Sequence, residues 1–173
     1  MIRNKTMQVS RRKLITSALA SAALPRAALA KTPTEITWDD LIPPGVPYSE
    51  IVAAGEMDET NDIWQPVFDE NATKLNPVLD GAYIKMPGYI IPIDQSTDGV
   101  TSFVLVPYVG ACLHTPPPPA NQLVFVTTNK PWPSDNLWDA VWVTGQMQHE
   151  LQSTEVAETG YLLKAEEMET YVW

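Results

Sequence analysis

Cysteine is nearly absent: the chain has one, Cys112, in 173 residues. A lone thiol cannot close an intrachain disulfide, so Cys112 must be buried, metal-bound, reactive or paired with another chain. Histidine is almost as scarce, with only His114 and His149. Basic residues are few and unevenly spread. Residues 1–30 hold six of the eleven Lys and Arg and none of the 21 Asp and Glu, which leaves five against 21, a net of −16, for the remainder. Such a surface lacks the Lys/Arg patches that nucleic acid or an anionic membrane requires. It favours solubility and attracts cations or a basic partner protein.

The basic residues that are present mark an address. Arg3, Lys5, Arg11, Arg12 and Lys13 precede a weakly apolar run from Leu14 to Leu24, and Ala28-Leu29-Ala30 fits an A-x-A cleavage site. The run is too short for a bilayer, which needs about 20 apolar residues. Ser10 to Ile15, SRRKLI, resembles a twin-arginine export signal, with Thr16 in place of the frequent lysine. A general secretory signal with a chance Arg pair is the alternative, and both imply export. Without a cysteine at the cleavage point no lipid anchor is expected. The expected mature protein is periplasmic or otherwise exported, soluble, free of a membrane anchor, and 143 residues long, enough for one domain with a real core.

Residues 31–79 are rich in turn formers and read as an irregular N-terminal wrap. Ser49 is placed to cap one or two helical turns ending at Gly55, Glu56 to Asp62 reads as solvated loop, and Trp64, Val67 and Phe68 recur at near-helical spacing as a lid over the core. After Asp80-Gly81 the pattern turns to β. Strands are expected over Ala82 to Ile93, with a bulge or bend at Gly88, then Ser102 to Tyr108, Gln122 to Thr128 and Leu137 to Met147. A fifth runs from Gly160 to Lys164 and resumes at Glu169, split by a turn at Ala165 to Met168. Residues 80–173 are therefore expected to form a mainly β domain, a small five-stranded barrel of the OB type, with a plain antiparallel sandwich as the alternative.

Val106 to Gln122, VPYVGACLHTPPPPANQ, collects the cysteine, one histidine and four consecutive prolines. Proline fixes φ and has no N–H, so Pro116 to Pro119 is expected as a stiff polyproline II rod. Gly110 allows a sharp bend on the other side. This motif, with MPGYIIPI before it and VWVTG after it, resembles the bacterial exported proteins grouped as domain of unknown function 3299. The motif residues are Pro87, Gly88, Pro107, Tyr108, Gly110, Cys112, His114, Pro116, Pro117, Pro118, Asn121 and Gln122. The resemblance implies metal handling beside an envelope transport system, because members are often encoded next to zinc-responsive transport components.

Read from the residues, Cys112 thiolate and His114 imidazole suit zinc first and copper second. A tetrahedral ion needs further donors: His149, an acid such as Asp94 or Asp98, water, or a partner protein. The competing reading makes Cys112 a small buried hydrophobe and gives His114 to loop carbonyls. Cys-His catalysis has no supporting signature, and a redox role lacks a resolving cysteine. A third possibility is a metal-free binding module, with Tyr108, Trp132, Trp138, Trp142 and the proline rod as an aromatic groove. Asn121 and Gln122 are expected to hold the proline loop through backbone hydrogen bonds, and His149 to lie at the surface.

Overall fold

In Tyr83–Ser96 alternate residues carry opposite tasks, and that alternation decides which way the strand faces. Ile84, Met86 and Ile90 are fully buried while Tyr83, Lys85, Pro87 and Tyr89 are half-covered. The computed structural model describes residues 31–58, 63–111, 117–134 and 138–172. All of them belong to one unit, Lys31–Trp173. Eight strands are described: β1 (Thr34–Glu35), β2 (Ile51–Asp58), β3 (Ile63–Phe68), β4 (Tyr83–Ser96), β5 (Gly99–Val106), β6 (Val124–Trp132), β7 (Ala140–Ser153) and β8 (Glu158–Thr170).

Strands β4 to β8 close a barrel in the order β4-β5-β6-β8-β7, with β7 returning to β4. The β6–β8 pair is parallel and every other contact around the ring is antiparallel. This is the OB-type barrel expected from the pattern. β1 adds a short parallel strand, with Thr34 opposite Ile84.

Closure depends on β4 serving two neighbours. Tyr83 to Tyr89 pairs with β7, and Tyr89 to Ser96 with β5. Gly88 sits beside that pivot, where a Cβ would come within 2.7 Å of Leu105 Cγ and 2.9 Å of Trp38 Cζ2. Close approach is what requires glycine there, and the bulge anticipated at this position falls further on, between Pro92 and Gln95. Gly145 on β7 is tighter still: a Cβ there would lie 2.0 Å from the Lys164 carbonyl oxygen.

β5 reads as apolar on both faces and is buried along almost its whole length. Its inward side chains, with Val124, Val126, Val141, Val143, Met147, Tyr161 and Leu163, make the main core. Each such aliphatic side chain contributes about 1.5 to 3 kcal/mol on burial. A smaller cluster of Ile91, Val104, Val106, Ala111 and Leu123 draws on the faces of β4 and β5 that point away from the main core, with Trp138, Val156 and Ala157 packed against it.

Several sequence-based expectations are corrected. β7 runs on through Gln148–Ser153, past the expected end at Met147, and β8 is continuous across Ala165 to Met168. The anticipated break in β8 is a bulge, since Thr144 pairs with Glu167 and Gly145 with Ala165, leaving Glu166 extra. Most of the wrap is regular. Ile51 to Ala54, expected as helical turns, is the start of β2, which pairs antiparallel with β3. Gly55, expected to end a helix, is a bulge residue at φ 69° facing Gln65. Glu56 to Asp58 lies in β2, and residues 59–62 of the expected loop lie outside the described residues.

The rest of the wrap joins the core. Ile36, Leu41 and Leu79 are buried in the main cluster, with Trp38 and Leu75 against it. Tyr161 holds this end shut: its hydroxyl donates to the Leu41 carbonyl at 2.5 Å and accepts the Asn76 N–H at 2.7 Å. Burial pushes its pKa up to about 12.

Candidate functional site

The residues flanking the Cys-x-His motif are fixed on both sides. Tyr108 is half-exposed, close enough to Tyr48 that burial, Tyr108 and Asp39, in that order, raise the Tyr48 pKa. Gly110 takes φ 87° with open space around it, so the bend itself is what requires glycine there. Ala111 is then fully buried in the smaller cluster. Cys112, His114 and Pro116 lie outside the described residues, as do Leu113 and Thr115. The chain resumes at Pro117, and Pro117 to Pro119 are all buried. Pro119, at φ −62° and ψ 157°, has the expected polyproline II conformation.

Asn121 and Gln122 follow in a short 3-10 turn and are almost completely buried. They bond backbone carbonyls, as anticipated, but those of the N-terminal wrap. Asn121 Nδ2 donates to the Asn71 and Lys74 carbonyls at 2.9 and 3.2 Å, and Gln122 Nε2 to the Trp38 carbonyl at 2.9 Å. The turn thus locks the wrap onto the barrel next to the motif. Each such buried bond, once one partner is deleted, costs about 1 to 3 kcal/mol.

His149 lies on β7 near the surface, as expected, and is half-buried. Its Nε2 lies 2.6 Å from the Asn76 carbonyl, its ring meets Tyr161 edge-on at 5.5 Å, and its backbone N–H donates to Asp80. That nitrogen is occupied by a structural contact. Asp94 accepts the Ser102 hydroxyl at 2.6 Å. Among the described residues no three His, Cys, Asp or Glu side chains converge into a metal-holding group.

The aromatic groove expected from Tyr108, Trp132, Trp138 and Trp142 does not form as one surface. Trp132 packs on the main core, Trp138 on the smaller cluster, and Trp142 lies edge-on to Tyr171 with Lys85 over its ring. Three different neighbourhoods claim the three indoles.

A different groove is present, of about 750 Å³, within the range of small-ligand sites. Phe68 and Pro66 of β3 form one wall, Pro117 and Pro118 the base, and Val156 and Ala157 of the β7–β8 turn the other wall. Asp69, Glu155 and Glu158 line it, and among the described residues no Lys, Arg or His does. Asp69 is held below the usual carboxylate range by the Ser49 hydroxyl at 2.8 Å and by the Asn71 and Glu50 N–H groups, against a smaller opposing effect of burial. It stays ionised throughout the neutral range. The opposite wall is shaped by Thr154, whose hydroxyl donates to the Ala157 carbonyl at 2.7 Å and accepts the Val156 and Ala157 N–H groups. Sequence pattern missed this site because its walls lie far apart in the chain. The one local signal was the polar STEVAE turn.

The two anchors of the motif meet this groove. Ala111 shares its cluster with Val156 and Ala157, and Pro117 lines the base.

The family model for proteins of unknown function termed DUF3299 matches residues 38–170. The chain belongs to the DUF3299 family. A DUF3299 family protein of known crystal structure, from Pseudomonas aeruginosa PAO1, is 36% identical, with a TM-score of 0.67 over 83% of this chain and 99% of that one. No curated protein matches the chain. The DUF3299 match spans the barrel, most of the wrap and all of the Cys-x-His motif. No helix among the described residues is long and apolar enough to cross a membrane.

Proposed function

We propose that this DUF3299 protein is an exported, non-enzymatic accessory protein that binds or passes a transition-metal ion, zinc before copper, alongside an envelope metal-transport system. The observation that carries the reading is the anchoring of the motif: Ala111 and Pro117, which bracket Cys112 and His114, are both buried. A thiolate and an imidazole presented from fixed points lose less conformational freedom on taking an ion than the same pair on a free tail. With His149 bonded to Asn76, the remaining donors come from water, a carboxylate or the transport partner.

A second reading is supported by the depth of Pro117 to Gln122. There the motif is structural, wedging the barrel against its wrap, and the protein is a metal-free binding module.

Metal content and zinc affinity of the mature protein, purified without a tag, separate the two. About one zinc per chain or per dimer, lost in the Cys112→Ser/His114→Ala variant, is expected from a two-residue site completed by other donors. No metal in either protein, with the variant merely less stable, overturns the metal reading and leaves the module.

A further inference from the structure

We infer that the groove between β3, the Pro117–Pro118 base and the β7–β8 turn is a docking site for an extended segment of a partner protein, one in which Lys or Arg alternates with apolar side chains. The inference does not depend on metal binding at the motif.

The shape selects an extended chain. The walls are a strand and a hairpin turn, and the base is proline, which offers apolar surface without an N–H to be left unsatisfied. Phe68, Pro66, Pro117, Pro118, Val156 and Ala157 supply apolar contact along it. The charge selects the sequence. Three carboxylates, Asp69 just after β3, Glu155 in the β7–β8 turn and Glu158 at the start of β8, line the groove, with no Lys, Arg or His among its described lining residues. The Asp69 carboxylate is held by its hydroxyl and amide donors and is therefore not free to turn away. In an extended segment lysines at every second position reach out to the carboxylates while the intervening apolar residues meet Phe68, the prolines and Val156. A small inorganic cation would use the carboxylates and leave the apolar base unsolvated. Nucleic acid is repelled by the same charge.

The test measures binding of a fluorescent peptide in which lysine alternates with leucine to the full mature protein by anisotropy. Two charge-matched variants are compared with it: Glu155→Gln/Glu158→Gln in the groove, and Glu35→Gln/Glu167→Gln on exposed positions elsewhere. The expected result is about tenfold weaker binding in the groove variant, less than about twofold in the control, and a reduced salt dependence in the groove variant alone. A peptide with serine in place of each leucine is expected to bind at least about tenfold more weakly, the equivalent of one or two buried apolar side chains. Equal weakening in both variants assigns the binding to overall acidity and overturns the proposal. So does equal binding of the serine peptide, which describes a simple polycation site, and so does no binding of the leucine peptide at all. Unchanged melting temperatures are expected for both variants, since all four glutamates are exposed.

Discussion

The β2–β3 hairpin and the barrel are both antiparallel sheet, yet they are stabilised in opposite ways. The barrel closes its edges through β4–β7 pairing and buries a continuous apolar core. The hairpin is a sheet of two strands, and Ile51, Val52, Met57 and Val67 on it are exposed. An isolated two-stranded sheet is marginal in water. This one is tied by a Trp64 indole bond to the Ala54 carbonyl and by the Ser49–Asp69 clasp at its base. The difference teaches where function has room. The closed core belongs to the ring, and exposed apolar surface belongs to the hairpin that walls the groove.

The largest effect is expected inside the ring. Gly145→Val places a side chain against the Lys164 carbonyl, where even a Cβ would lie at 2.0 Å. It should cost about 3 kcal/mol or more by overpacking and separate β7 from β8, seen as loss of a cooperative urea transition. A substitution of equal added bulk at an exposed β2–β3 side chain such as Val52 that cost as much would erase the distinction between the two regions.

Next is Tyr161→Phe, which leaves the Leu41 carbonyl and the Asn76 N–H without their partner. A loss of about 1 to 3 kcal/mol is expected. The wild-type hydroxyl, raised to about 12, favours the fold in its neutral form. Its contribution is complete below the unfolded value near 10 and fades as pH rises from there through 12. The urea midpoint of the wild type should fall over that window more steeply than that of Tyr161→Phe. Parallel curves would show that the phenol is not the latch.

A smaller and local effect is expected for Asp69→Ala, which removes the acceptor of Ser49 and the cap of the 3-10 turn Glu70–Thr73. A modest loss of stability is expected from the missing cap. Because the folded carboxyl titrates below its ordinary value of 3.8, its contribution is present above that pH and lost below it. Amide exchange should quicken in β2 and β3 while the β5 and β6 amides keep their protection. Uniform quickening would mean that the hairpin and ring unfold as one.

The smallest expected effect is Val67→Thr, within about 0.5 kcal/mol because the side chain is exposed. A much larger loss would place Val67 in a packed interface.

The strand faces were legible because burial on one side writes itself as period-two alternation: Ile84, Met86 and Ile90 in β4 needed no tertiary information. The OB-type closure was also readable, from five β segments and a glycine at a bend. Strand ends were not. Gln148 to Ser153 is mostly polar because it runs beyond the core, so composition signals a loop where backbone pairing continues. Ser49 and Gly55 imitate a helix cap and stop, while their actual roles are a carboxylate clasp and a bulge.

By itself the sequence determined the alternating strands, the polyproline II conformation at Pro119, the bend at Gly110 and the excess of acidic residues, because each follows from residues close in the chain. Only the tertiary structure decided that His149 bonds Asn76, that Asn121 and Gln122 clamp the wrap, that the tryptophans disperse, and that Phe68, Pro117 and Val156 enclose an acidic groove. Those contacts join segments dozens of residues apart, and their partners are backbone carbonyls and surfaces that every residue type can supply, so no local pattern encodes them.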